Sequence, residues 1–218
     1  VKTRRGYLTH EQLAQVAERC GQSADIVLFL AYTGVRWGEM AALKADRVDI
    51  SRRRVEIAEA VSEPRGLITW VTPKSHERRS VPFPEFLTPR LRLRCEGKHP
   101  DDLVFVGSAG AVLRAGNFRN RVFDAAVASA IKSDSSITRV TLHDLRHTAA
   151  SLAVSAGANV KAVQRMLGHA SAAITLDVYA DLFDDDLDAL AEALNLVVPA
   201  AVVLKMCSTD PESEFKKP

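Results

Sequence analysis

The apolar residues of this chain change their spacing near Arg47, and that change limits the folds open to it. Up to Leu43 the hydrophobic side chains recur at helical intervals. Val48, Ile50, Val55 and Ile57 then alternate with polar residues, as do stretches 67–71 and 79–81. After Pro84 the helical interval returns. One face of a helix repeats every 3.6 residues and one face of a strand every 2. The middle of the chain therefore predicts short antiparallel strands between two helical stretches, with turns at 51–53, 64–66 and 73–77. The expected fold class is α+β, a mostly helical domain with a small antiparallel sheet inserted after the first helices.

Local signals fill in the helices. Thr9-His10-Glu11-Gln12 fits a capping box that opens a helix to about Arg19, stopped by Gly21. Ser23 is expected to cap a buried helix over 26–32 that ends at Gly34, and a short helix over 36–43 follows. A short buried strand is expected at 103–106. Further helices are expected near 118–131, 142–156 and 160–167, with a last pair at about 172–182 and 184–194.

Composition narrows the function classes. The 218 residues are 47% hydrophobic and 26% charged, a normal globular balance for one large domain, with or without a small appendage. Cys20, Cys95 and Cys207 form neither a disulfide framework nor a paired metal motif, which predicts a reducing cytoplasm. No apolar run approaches the roughly 18 residues of a membrane helix. The opening Val1-Lys2-Thr3-Arg4-Arg5 has neither an initiating Met nor an apolar signal, and reads as the remnant of something longer. Charge is uneven: residues 1–176 hold 26 Lys and Arg against 17 Asp and Glu, while residues 177–218 hold 3 against 10. A basic body with an acidic tail suits a polyanionic partner.

The densest chemistry lies in His143-Asp144-Leu145-Arg146-His147. His143 and Arg146 are three apart on a predicted helix and share a face, with His147 close to it. Leu142, Leu145, Ala149 and Leu152 would seat that helix in the core. Three readings are open at this point. Histidines four apart with an acid between resemble the zinc-helix pattern, although Asp144 replaces its Glu and Arg146 would repel a dication. In the second reading Arg146 forks onto a phosphate while His143 donates a hydrogen bond or moves a proton. In the third, the polar residues are merely capped and solvated.

Other segments bear on the choice. Arg36 follows the glycine turn of Thr33-Gly34-Val35, and Glu39 lies three residues on, placed to hold its guanidinium. Lys74 sits in a turn between two strands. His169 follows the glycine that ends a helix. Tyr179 is one of three tyrosines; Tyr32 and Tyr7 occupy structural settings.

These residues, in this order, resemble the catalytic domain of the tyrosine recombinases, also called phage integrases. TGVRWGEM resembles the family's first arginine box, with Arg36 and the supporting Glu39. TPKS resembles its hairpin lysine, here Lys74. HDLRHTAAS resembles the second box, giving His143 and Arg146. LGH gives His169, and TLDVYA gives the nucleophile Tyr179. The steps of 26 residues from His143 to His169 and ten more to Tyr179 make the match specific.

The resemblance implies a division into residues 1–7 as the remnant of an upstream DNA-binding domain, 8–195 as the catalytic domain, and 196–218 as a tail that either docks on a neighbouring protomer or folds its apolar 197–204 back on its own domain. The separate helical domain that usually clamps the opposite face of DNA has no room before Leu8. The implied activity is site-specific recombination of double-stranded DNA through a 3′-phosphotyrosyl link, by a homotetramer, without ATP, a nucleotide cofactor or a divalent metal. His143 or His169 would accept or relay the phenolic proton or hydrogen-bond to the phosphate, and Lys74 would protonate the leaving oxygen. A bacterial or phage-infected cytoplasm, at the nucleoid, is the implied location. The alternatives are a non-catalytic DNA-binding remnant and a metal-dependent hydrolase built on HDLRH. Arg52, Arg53, Arg54, Arg78, Arg79, Arg119 and Arg121 are all candidate phosphate contacts.

Overall fold

The computed structural model describes residues 7–71 and 78–179. Lys74, the helix expected at 184–194 and the tail at 196–218 lie outside the described residues.

The first helix, α1 (His10–Arg19), opens as its capping box predicts: Thr9 accepts from the Gln12 backbone N–H, and the Gln12 side chain accepts from that of Thr9. It turns Leu13, Val16 and Ala17 into the core. In α2 (Ala24–Thr33) every residue but Leu28 and Tyr32 is buried. That is the environment an all-round apolar helix requires. Ser23 precedes it but makes no side-chain capping bond. The buried acid of α2, Asp25, is forked by Arg94 of α4 (Thr88–Cys95), with contacts of 2.7 and 2.9 Å. α2 ends at Gly34, whose φ of 64° favours glycine. A Cβ there would lie 2.6 Å from Leu167 Cδ2.

After the short α3 (Trp37–Ala41) come the strands. β1 (Val48–Asp49), β2 (Arg54–Ile57) and β5 (Arg79–Pro82) form one antiparallel sheet in the order β1-β2-β5. Its register opposes Val55 to Val81 and Ile57 to Arg79, and Val55, Ile57 and Val81 all face the core. β3 (Ala60–Ser62) and β4 (Thr69–Val71) pair separately. The alternating stretch thus builds two small sheets where one was expected. β3 escaped notice because Ala60-Val61-Ser62 holds a single strongly apolar side chain.

Two further expectations change. Residues 103–106 form no strand: Leu103 makes an isolated bridge to Lys44, and Val106 one to Val112. Val104 and Phe105 are fully buried, and burial alone produced their apolar run. The helix expected at 118–131 is α5 (Ala115–Phe118) and α6 (Asp124–Ser133), joined by a π-helical turn at Arg119–Phe123.

α7 (Asp144–Ser155), α8 (Val160–Leu167) and α9 (Ala172–Tyr179) complete the described chain. The buried face of α7 carries Leu145, Arg146, Thr148, Ala149 and Ala150, while Leu142 and Leu152 are only part-buried. The expected apolar stripe was therefore displaced, and Arg146 is turned inward. Asn159 caps α8 by accepting from the Ala162 N–H at 2.9 Å, and Gly168 closes it with φ 67°.

α3 and β3 touch through Gly38, where an added Cβ would stand 2.1 Å from the carbonyl oxygen of Val61. Backbone cannot yield as a flexible side chain does. Gly38→Ala is therefore expected to lower unfolding free energy by about 1–3 kcal/mol in urea titration. Wild-type stability in that variant would refute the contact.

Candidate active site

Arg146 is only 5% exposed. Its two terminal nitrogens donate to the Gly34 carbonyl at the end of α2 and, at 2.6 Å, to the Leu167 carbonyl at the end of α8. Helix C-termini carry partial negative charge, so both partners suit a guanidinium. Burial, and then the neighbouring Arg36, pull its pKa down to about 10. It stays charged at neutral pH, with three of its five N–H donors left for a ligand.

Arg36 occupies the N-cap position of α3. Its backbone N–H donates to Glu39 Oε2 at 2.8 Å, and its guanidinium to Oε1 at 3.0 Å. The Arg36 side chain is half exposed and free to turn its outer donors to solvent. Glu39 does more than the sequence reading assigned to it. Arg79, on β5, forks both oxygens of the same carboxylate at 2.9 and 2.6 Å. Burial alone would raise the pKa of Glu39, but hydrogen bonds and charge from Arg79, with help from Arg36, outweigh it and hold the carboxyl low.

Arg79 is thereby withdrawn from the candidate phosphate contacts. It lies against Gly168, where a Cβ would meet its guanidinium carbon at 3.0 Å. The clue was available: at a period of two, Arg79 shares the inward face with Val81. Among the other candidates, Arg53 pairs with Glu85 and Arg78 with Glu56.

Three histidines approach the site. His169 shares a 2.9 Å hydrogen bond with Thr175 through Nδ1, and its ring lies nearly parallel to that of Tyr179, with centroids 6.4 Å apart. Burial, then the charges of Arg146 and Arg36, push its pKa down to about 4, so it is neutral at pH 7. His143 is exposed at the start of α7 and meets the His147 ring edge-on at 5.2 Å. The residue that reaches the Tyr179 hydroxyl is His147, with Nδ1 2.9 Å from it. From sequence, His147 is placed close to this face and has a role only as the second histidine of the zinc-helix pattern, none in the recombinase resemblance. Tyr179 itself is 1% exposed.

The described residues thus bring together Arg36, Glu39, His143, Arg146, His169 and Tyr179, and add Arg79 and His147. Asp144 instead caps its own helix, accepting from the Thr141 N–H and hydroxyl at 2.7 and 2.8 Å. Among the described residues, no three His, Cys, Asp or Glu side chains converge as metal ligands would.

The family model described as the phage integrase family matches residues 7–185. The chain belongs to that family. It is 28% identical over 186 residues to the tyrosine recombinase XerC of Bacillus pumilus, covering 80% of this chain and 54% of that protein. It is 29% identical over 180 residues to the integrase of Escherichia phage P2, covering 82% and 44%. The chain spans about half the length of the curated relatives it matches. Among solved structures, the fold resembles that of the Tn1549 transposon integrase in complex with a circular intermediate DNA, with a TM-score of 0.74 at 21% identity, covering 88% of this chain and 67% of that one. It also resembles the XerA recombinase, with a TM-score of 0.62 at 26% identity, covering 88% and 65%. The mostly helical fold with small antiparallel sheets is that of the integrase catalytic domain.

The depressed pKa of His169 has a sign that can be checked. Between about 6.5 and 4 the unfolded chain binds a proton there that the folded one refuses, so stability falls as pH drops through that window. His169→Gln should lose less stability than wild type between pH 7 and pH 4.5 in urea denaturation. Equal losses in both proteins would contradict the buried neutral imidazole.

Proposed function

We propose that this chain is the catalytic part of a site-specific DNA recombinase, cutting and rejoining strands through a 3′-phosphotyrosyl link at Tyr179. One observation carries the reading: Tyr179 lies within the field of Arg146, next to Arg36 and Arg79, two guanidiniums that share the single carboxylate of Glu39. The excess positive charge is what a phosphodiester would neutralise.

Tyr179 attacks the scissile phosphorus, a P–O bond to the phenol forms, and the 5′-oxygen leaves. A phenol with pKa near 10 needs its proton removed for this. Arg36 and the unused donors of Arg146 hold the non-bridging oxygens, where charge builds in the transition state. His143 and His169 flank the phosphate as hydrogen-bond donors. Lys74 gives its proton to the leaving oxygen, which an arginine would release too reluctantly. Glu39 and Arg79 orient Arg36 and do not react.

The covalent link conserves the energy of the phosphodiester, so a 5′-hydroxyl from another strand can reverse the step without ATP. The arginines and lysine supply the positive charge that metal ions provide in nucleases. Exchange between two duplexes takes four such sites, hence a homotetramer on double-stranded DNA, with residues 196–218 docking between protomers. The work would be done at the nucleoid of a bacterial or phage-infected cell. Tyr179 is buried, so engaging DNA must uncover its hydroxyl.

The test is a nicked duplex carrying a site the protein demonstrably binds, incubated in EDTA and run under denaturing conditions. A 3′-linked adduct should form and vanish in Tyr179→Phe. Removing a preorganised donor costs roughly 3–4 kcal/mol, so Arg36→Ala should slow adduct formation a hundredfold or more. A bound site that gives no adduct would replace this reading with DNA binding alone. Deleting residues 196–218 should weaken assembly on DNA as measured by gel shift, and unchanged assembly would refute the docking role.

A further inference from the structure

The proton of Tyr179 needs an acceptor, and the three histidines are not equally placed for it. His169 turns Nδ1 to Thr175 and presents its ring to Tyr179 face on, 6.4 Å away between centroids. Surrounded by burial and arginine charge, it is also a poor base. His143 sits at the exposed start of α7, and its ring contact is with His147. His147 is within hydrogen-bonding distance of the phenol, Nδ1 to Oη at 2.9 Å.

We propose that His147 accepts the phenolic proton of Tyr179 as the phenol attacks DNA, an inference that rests on the recombinase reading above. The geometry suits general-base work, which requires a heavy-atom separation of about 2.6–3.2 Å. In the tautomer with its hydrogen on Nε2, the Nδ1 lone pair receives the Tyr179 hydroxyl. Its carrier is rigid. On either side of it in α7, Arg146 is tied to two helix ends, while the Thr148 hydroxyl donates to the Asp144 carbonyl at 3.0 Å and accepts from the Leu8 N–H at 3.3 Å.

The step balances. The Oη–H bond breaks as the Oη–P bond forms, and the proton passes to His147 Nδ1. The P–O5′ bond breaks, and O5′ takes its proton from Lys74. In rejoining, the imidazolium returns the same proton to the departing phenolate while a 5′-hydroxyl attacks phosphorus. His147 is then the base of one half-reaction and the acid of the other.

The test follows adduct formation on a duplex the protein binds, comparing wild type, His147→Ala and His147→Asn. The Asn amide can hydrogen-bond the phenol but cannot take its proton. Both variants are expected to bind DNA as wild type does and to form the adduct about a hundredfold or more slowly. A duplex with sulfur at the bridging 5′ position, whose leaving group needs no proton, should restore Lys74→Ala and leave both His147 variants slow. Wild-type rates in His147→Ala would overturn the proposal, as would full recovery in His147→Asn or on the sulfur-bridged duplex. If His147→Ala melts early, His147→Asn decides alone. Absence of adduct from wild type on bound DNA would instead overturn the recombinase reading itself.

Discussion

A buried guanidinium joins the ends of two helices, and the rest of the site is arranged around it. Taking an arginine out of water costs several kcal/mol unless its charge and its donors are met. Arg146 meets both with the last carbonyls of α2 and α8. Charge-assisted hydrogen bonds contribute about 1.5–3 kcal/mol each, and helix C-termini add a favourable field. The arrangement works only if the two helices end close together. Gly34 permits that by lacking the side chain that would strike Leu167, and by adopting the left-handed conformation that turns the chain toward Arg36. The arginine and the glycine thus solve one packing problem between them.

The second constraint is a carboxylate shared between two arginines. Glu39 is nearly inaccessible, and a buried acid with one cation already has its charge balanced. Holding both Arg36 and Arg79, it leaves a cationic surplus, to which Arg146 adds. This is the electrostatic opposite of a structural salt bridge, whose charges cancel. After burial, which contributes most, it also suppresses the basicity of His169: a protonated ring in that field would be repelled, so the imidazole stays neutral. The site is positive through arginines, which hold their protons at any physiological pH, while His169 remains available as a neutral donor or acceptor.

Much of this was legible in the sequence. The periodic shift at Arg47, the capping box at Thr9 and the glycine stops at Gly34 and Gly168 are local signals, read one element at a time, and each corresponds to an observed feature. Arg36 and Glu39 were recognisable as a pair because they are three residues apart on one helix. What escaped depends on residues far apart in the chain. Arg79 meets Glu39 across 40 residues, and no local pattern reveals that a strand arginine will face a helix acid. The stripe on α7 was misplaced for a related reason. Apolar periodicity places leucines inward, whereas the carbonyls of α2 and α8 draw Arg146 inward, and Leu142 and Leu152 are left part-exposed. Val104 and Phe105 were read as a strand because deep burial and a buried strand give the same apolar run.

The burial of Tyr179 ties these points to the chemistry. A phenol 1% exposed, with His147 at its hydroxyl and the His169 ring parallel to its own, is held by side chains of the candidate site. α7 carries Arg146 and His147 in succession, so the group that would grip a phosphate and the group that touches the phenol move as one rigid unit. A phosphate drawn in by the arginines arrives at a fixed distance from the imidazole. That rigidity suits the proposed cutting and rejoining, because the same fixed groups would face the phosphorus whether it is bonded to DNA or to the protein.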